Sequence, residues 1–310
     1  MRNVLVVTHT GRADALAAAQ EVCSALISAG LTPVMTKIEL EDHRRFSGDQ
    51  VAPNHSLDGI KVLDEDVAAE DIELAMVLGG DGTILKAAEI VRDAQTPLLG
   101  INLGHVGFLA ESERDGLTDA VRRVVERDYV VKQRLALDVT VFVEGKEAFK
   151  TWALNEAAIE KNSREKMLEV VLEIDRRPLS SFGCDGVVVA TPTGSTAYSF
   201  SAGGPVVWPS VEALLVVPLS AHALFARPLV VSPKSMIAVE IMERSAGSGV
   251  LWCDGRRTWE LPPGARVEIK RSTFPVRLAR FRQGVFTDRL VRKFSLPVVG
   301  WRGHEGGEQS

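Results

Sequence analysis

Asp81 is the residue whose setting first invites a chemical reading. It stands in Gly79-Gly80-Asp81-Gly82-Thr83, after the apolar run "IELAMVL" (72–78) and before "TILKAAEIVRDA" (83–94). Glycines let backbone N–H groups approach an anion, and a helix N-terminus adds partial positive charge. Gly79, Gly80, Gly82 and Thr83 therefore read as a phosphate loop. A carboxylate there repels phosphate, so its place in the loop needs a reason of its own; capping the helix that starts at Thr83 is one.

A second stretch, "FGCDGVVVATPTGSTAYSFSAGGP" (182–205), reads as a strand, a turn and a short helix closed by glycines. Thr191, Thr193, Ser195 and Thr196 bring hydroxyls and N–H groups to the helix N-terminus, and Tyr198 offers a flat face with a polar tip. This can hold a nucleotide, or it can be a capped helix in a serine-rich turn. Two further unusual stretches are "GINLGHVGFLA" (100–110) and "LNEAAIEK" (154–161). His9 and His105 sit in glycine-containing loops after strands and are weaker candidates; Trp208, Trp252, Trp259 and Trp301 read as core or interface aromatics.

Several chemistries are excluded. There is no GxxxxGK[ST], no GxSxG and no HExxH, and the turn after the first strand, "THTGR", is not GxGxxG. Net charge is −5 and the pI about 5.8, no basic footprint for nucleic acid. The longest apolar stretch, "ALLVVPLSAHALF", is broken by Pro218 and His222 and is too short to span a bilayer, and the N-terminus lacks a signal-peptide pattern. Cys23, Cys184 and Cys253 are far apart, without metal-ligand spacing, and read as reduced thiols of a cytoplasmic protein.

The elements that position these loops follow from the pattern. "VLVV" (4–7), "LTPVMT", "IELAMVL" and "PLLGINLG" (97–104) read as strands; 13–30, 83–94 and 117–129 read as helices, the first ending at a glycine C-cap. Alternating strand and helix implies a parallel sheet with helices on both faces. Residues 41–60 are polar, with Pro and Gly, and read as a loop. From about 125–132 the texture changes to short β-rich runs such as "LALDVTVFV", "LEVVLEID" and "RVEIKRS", the pattern of a β-sandwich. The expected organisation is an α/β domain over 1–128, completed by a helix after residue 284 (285–310), and a sandwich-like all-β domain over 129–284. "GHEGGEQS" reads as a disordered tail. "LWCDG" (251–255) echoes "FGCDG" (182–186), and its Asp254 reads as a hairpin turn.

Taken together, "GGDGT", "NLGHVGFL", "LNE" and "DGVVVATPTGSTAYSFSAGGP", in that order over nearly the whole chain, resemble the NAD kinase family, enzymes that phosphorylate the adenosine 2′-hydroxyl of NAD to make NADP. The resemblance implies that Asp81 is the catalytic base, with Gly82 beside it and Lys86 near the nucleotide. It implies that Asn155 and Glu156 bind the adenine end of NAD, that Asp185 contacts a ribose, and that Thr196, Ala197, Tyr198, Ser199, Phe200 and Ser201 line the NAD site. Lys166 stands about where the family has another ligand-contacting residue. It also implies ATP or polyphosphate as donor, Mg²⁺ carried on the donor phosphates rather than by a dedicated carboxylate cluster, and a homodimer or homotetramer. Two other readings fit parts of the sequence: a lipid or sugar kinase sharing only the "GGDG" loop, and a non-catalytic dinucleotide sensor.

Overall fold

The computed structural model of the chain describes residues 2–9, 11–49, 58–104, 107–113, 116–164, 166–281 and 286–298. His105 and the "GHEGGEQS" tail lie outside the described residues. The chain divides into two compact units, one from residues 1–132 with 277–310 and one from 133–276.

The first unit opens with β1 (Asn3–Thr8), α1 (Ala13–Ser28), β2 (Thr32–Met35), α2 (Lys37–Asp49), β3 (Lys61–Val62), β4 (Ile72–Leu78) and α3 (Asp81–Ile90). It continues with β5 (Leu98–Asn102), β6 (Ser112–Glu113), α4 (Leu117–Glu126) and β7 (Val130–Arg134). Residues 4–7 of β1 and 74–78 of β4 are apolar runs because helices cover both faces of a parallel sheet. α1 turns Ala15, Ala18, Ala19, Val22 and Leu26 inward at helical spacing. It ends as read: Gly30 is left-handed (φ 77°), and the N–H groups of Gly30 and Leu31 return to the carbonyls of Ile27 and Leu26.

Residues 41–49 depart from their reading as part of a loop, and 50–57 lie outside the described residues. α2 occupies Lys37–Asp49, and its inward positions include Glu39, Leu40 and His43, all buried. Two of these three are polar, so the apolar periodicity that marks a helix is missing.

The second unit runs β8 (Leu137–Val143), β9 (Lys146–Ala153), β10 (Glu156–Lys161), β11 (Leu168–Ile174), β12 (Arg177–Cys184) and β13 (Gly186–Ala190). A short helix α5 (Tyr198–Ser201) follows, then β14 (Leu214–Leu219), β15 (Leu229–Val231), β16 (Ile237–Ile241), β17 (Gly249–Cys253), β18 (Arg257–Leu261) and β19 (Arg266–Arg271). They form two six-stranded sheets, β15-β14-β13-β10-β17-β18 and β12-β11-β16-β19-β8-β9. Alternate residues of both, such as Val139, Val141, Val170, Ile159, Val187 and Leu251, share one core. β13 is apolar at every position because Val188 and Ala190, on its other face, pack with Ala158, Val207, Leu215 and Val217.

The chain then returns to the first unit with β20 (Val276–Arg280) and α6 (Phe286–Phe294). The first sheet has the order β3-β2-β1-β4-β5-β20-β7, with β6 beside β5. β20 is thus a correction to the expected boundary at 284. A five-residue β-rich run looks the same in either sheet, and its place between β5, with Leu278 paired in parallel to Leu98, and β7 assigns it. α6 packs on the first unit through Phe286 and Phe294, whose rings each lie 5.9 Å from that of Phe108.

Candidate functional site

The loop after β4 is shaped by two glycines with different duties. A Cβ on Gly79 would lie 2.4 Å from Thr83 Oγ1, so only glycine fits. Its N–H donates to the Ile101 carbonyl at 2.9 Å, and the N–H of Thr83 donates to Gly80 O at 3.0 Å. Gly79 and Thr83 therefore have no N–H to offer a phosphate, a correction to the sequence reading. Gly80 and Gly82 are exposed, and their N–H groups have no partner among the described residues.

Asp81 does not cap a helix starting at Thr83. The helix begins at Asp81 itself, and the side chain turns to the loop after β5. Its Oδ2 accepts the N–H of Phe108 and its Oδ1 that of Leu109, both at 3.1 Å. Gly107 is needed for this approach, since a Cβ there would sit 2.4 Å from Asp81 Oδ1. "GGDGT" and "NLGHVGFL" are thus two halves of one carboxylate setting.

Lys86, one turn further along α3, is 2.9 Å from Oε1 of Glu39, whose side chain is wholly buried. Glu39 also accepts the Thr8 N–H at 3.3 Å and the Thr36 hydroxyl at 3.0 Å. Glu39 was missed in the sequence, although Thr36-x-x-Glu39 is the spacing of a capping box, and the Glu39 N–H does donate to Thr36 Oγ1.

In the second unit, "LNE" and "TPTG" are laced together. The Thr191 hydroxyl donates to Leu154 O at 2.6 Å and its N–H to Asn155 O at 2.9 Å, and the Gly194 N–H donates to the Thr191 hydroxyl. A Cβ on Gly194 would fall 2.0 Å from Asn155 O. Ser195 is buried and joins Pro192 and Val207. The hydroxyls of Thr191 and Ser195 hold the turn rather than face a ligand, which narrows the sequence reading.

Beneath this turn Asp254 accepts the N–H groups of Leu154 (2.9 Å), Asn155 (2.7 Å) and Glu156 (3.3 Å), and the guanidinium of Arg257 at 2.7 Å. Arg257 lies 4.3 Å over the Trp152 ring. Burial pushes the Asp254 carboxyl up; the three N–H groups and Arg257 act against it. Asp254 and Gly255 are both left-handed (φ 55° and 64°) between β17 and β18, so the hairpin reading holds, but the sequence concealed the carboxylate's second duty.

Glu156 is buried, and its Oε2 has no hydrogen-bond partner among the described residues. Burial first, then the nearby Asp254 charge, raise its carboxyl to about 8, against the Tyr198 N–H, which lowers it. At neutral pH it is protonated and can donate. Tyr198 is half exposed, and its hydroxyl lies 2.5 Å from Glu160 Oε1, so the ring runs along β10 from Glu156 to Glu160. Burial and Glu160 raise the phenol to about 12.

Asp185 lies at the other end of β13, partly exposed and 2.5 Å from Lys161, whose hydrogen bond lowers its carboxyl. Of the remaining segment, Thr196 and Ala197 are partly exposed, Phe200 and Ser201 exposed, and Ser199 buried with an unpartnered hydroxyl. Lys166 lines an open groove of about 480 Å³ with Met167, Phe182, His222 and Arg244.

Comparison with known proteins places this arrangement. The ATP-NAD kinase N-terminal domain matches residues 4–129, and the ATP-NAD kinase C-terminal domain residues 154–281. An NAD kinase of Leifsonia xyli is 60% identical over 98% of both chains, and one of Thermobifida fusca 59% identical over 100% of this chain and 94% of that one. In fold, the chain resembles yeast NADH kinase complexed with NADH (TM-score 0.82, 23% identity, 100% of this chain and 90% of the other). It also resembles an NAD kinase from Archaeoglobus fulgidus in complex with ATP (TM-score 0.70, 24% identity, 96% and 100%). Full-length identity of this order sets aside a lipid or sugar kinase sharing one loop: the chain is an enzyme of the NAD kinase family.

Proposed function

We propose that the chain moves the terminal phosphoryl group of ATP to the adenosine 2′-hydroxyl of NAD, with Asp81 taking the hydroxyl proton. The observation that carries this reading is the Asp81 carboxylate, fixed between two exposed glycines by one N–H on each oxygen, with lone pairs left to receive a proton. A secondary hydroxyl is a poor nucleophile at neutral pH, and a base within reach contributes about 10²–10⁴ in rate. As O2′ bonds to the γ-phosphorus, the bond to the ADP oxygen breaks and the proton passes to Asp81. The N–H groups of Gly80 and Gly82, at the start of α3, suit the donor phosphates.

Asn155, Glu156 and Tyr198 are assigned to NAD, with Asp185, Thr196, Ala197, Ser199, Phe200 and Ser201 around them. Protonated Glu156 supplies a donor and Asn155 both a donor and an acceptor, a pair suited to a purine edge. Lys166 is assigned a more peripheral contact. Among the described residues no cluster of three His, Cys, Asp or Glu side chains could hold a metal ion. Mg²⁺ is therefore assigned to the donor phosphates, whose charge it neutralises. Polyphosphate as a second donor, a cytoplasmic location and a homo-oligomeric state belong to the same proposal.

The test is to supply the purified protein with NAD, ATP and Mg²⁺ and follow NADP, with Asp81→Asn alongside. Asparagine keeps one of the two N–H contacts, so the melting temperature should fall only slightly, while kcat drops by about 10² or more with KM for NAD little changed. A folded Asp81→Asn protein that makes NADP at the parent rate would sink the assignment.

A further inference from the structure

The loop that fixes Asp81 is itself held from the far end of the chain. Arg289, on α6, donates from Nη1 to the Phe108 carbonyl at 3.0 Å. That carbonyl and the Leu109 N–H belong to one peptide plane, and the Leu109 N–H donates to Asp81 Oδ1 at 3.1 Å. A single peptide group thus lies between a guanidinium and the Asp81 carboxylate. Hydrogen bonds in series polarise one another, so a cation on the carbonyl side strengthens the N–H donor on the other.

The guanidinium is held in turn. Arg289 Nη2 lies 2.7 Å from Glu111 Oε2, and the Glu111 side chain is 1% exposed. Glu111 also receives Arg280 Nη1 at 2.9 Å and the Phe281 N–H at 2.9 Å, while Arg280 Nη1 reaches Ala110 O at 3.1 Å. The Phe108 ring lies against Phe286 and Phe294 of α6. A surface helix needs none of this for solubility; every one of these contacts acts on residues 108–111.

We propose that Arg289 is a positioning residue for the phosphoryl transfer: through the Phe108–Leu109 peptide it sets the Asp81 carboxylate, so that α6 completes the reaction centre without touching a substrate. The proposal rests on Asp81 being the base. It predicts a defect in turnover rather than in binding.

The experiment compares Arg289→Ala, Arg289→Gln and Arg289→Lys with the parent, in the wild-type and Asp81→Asn backgrounds, measuring kcat, both KM values and melting temperature. Arg289→Ala and Arg289→Gln are expected to lower kcat on the order of tenfold with both KM values nearly unchanged. Arg289→Lys, which keeps the charge and a donor, should recover most of the rate. In the Asp81→Asn background Arg289→Ala should lower kcat no further, because residues acting through one group are not additive. The glutamine variant keeps most of the side-chain packing, so it decides the matter if the alanine variant does not fold. Unchanged kcat in Arg289→Gln, or an equal fall with and without Asp81, overturns the proposal. If Asp81→Asn alone retains the parent rate, it is the assignment of the base that has failed.

Discussion

Asp254 accepts the backbone N–H of Asn155 at 2.7 Å, joining two residues 99 positions apart. The same carboxylate holds the N–H groups of Leu154 and Glu156, so one buried side chain sets the course of the backbone that presents the Asn155 amide and the Glu156 carboxyl. Asp254→Asn removes acceptor capacity and the charge facing Arg257, and breaking a buried pair in this way costs about 3–5 kcal/mol. We expect a lowered melting temperature and, at a temperature where the variant is folded, an apparent KM for NAD raised on the order of tenfold, with KM for ATP much less affected. Steady-state kinetics with each substrate varied in turn checks this.

Glu156 gives a signature in pH. Its carboxyl is raised from 4.5 to about 8 by burial, so between those values the native state binds a proton that the unfolded chain has released. The stability this contributes is complete below pH 4.5 and is lost as pH rises towards 8. Glu156→Gln, neutral at every pH, should lack this decline. Melting temperatures from pH 5 to 9 for both proteins measure it; parallel curves would show that Glu156 is ionised in the native state.

His43 is fully buried on α2, and neither ring nitrogen has a hydrogen-bond partner among the described residues. Burial, against the nearby Asp42 charge, lowers it from 6.5 to about 4. Its neutral form adds stability above pH 6.5 that is lost as pH falls from 6.5 towards 4. An unsatisfied buried polar group costs about 1–3 kcal/mol. We therefore expect His43→Leu to raise the melting temperature at neutral pH and, more strongly, at pH 5, as calorimetry at the two pH values would read.

Where a segment's burial is apolar, its sequence announced it. β1, β4 and β13 were visible because strands covered on both faces are apolar over most of their length, and in the Asp81 setting close approach demands Gly79 and Gly107. α2 was hidden because Glu39 and His43 occupy inward positions where an apolar side chain is expected. The duties of Asp254 and Arg289 were hidden for a different reason. Their partners here are backbone N–H and C=O groups, which every residue carries, so nothing in residue identity marks the pairing. Motif spacing located Asp81, Asn155 and Tyr198; it could not show that Gly79 and Thr83 have their N–H groups engaged within the fold.

β20 lies between β5 and β7 in the first sheet, although roughly 140 residues of the second unit separate it from β7 along the chain. During synthesis the first sheet must therefore wait, with β5 met on that side only by β6 at Ile101 and Asn102, until the strand at Val276–Arg280 leaves the ribosome. At about 5–20 residues per second that delay is on the order of ten to thirty seconds. The second unit has all its strands before the first does. Since α6 emerges later still, its contacts with Phe108 and Glu111 form after the loop that they hold has been made.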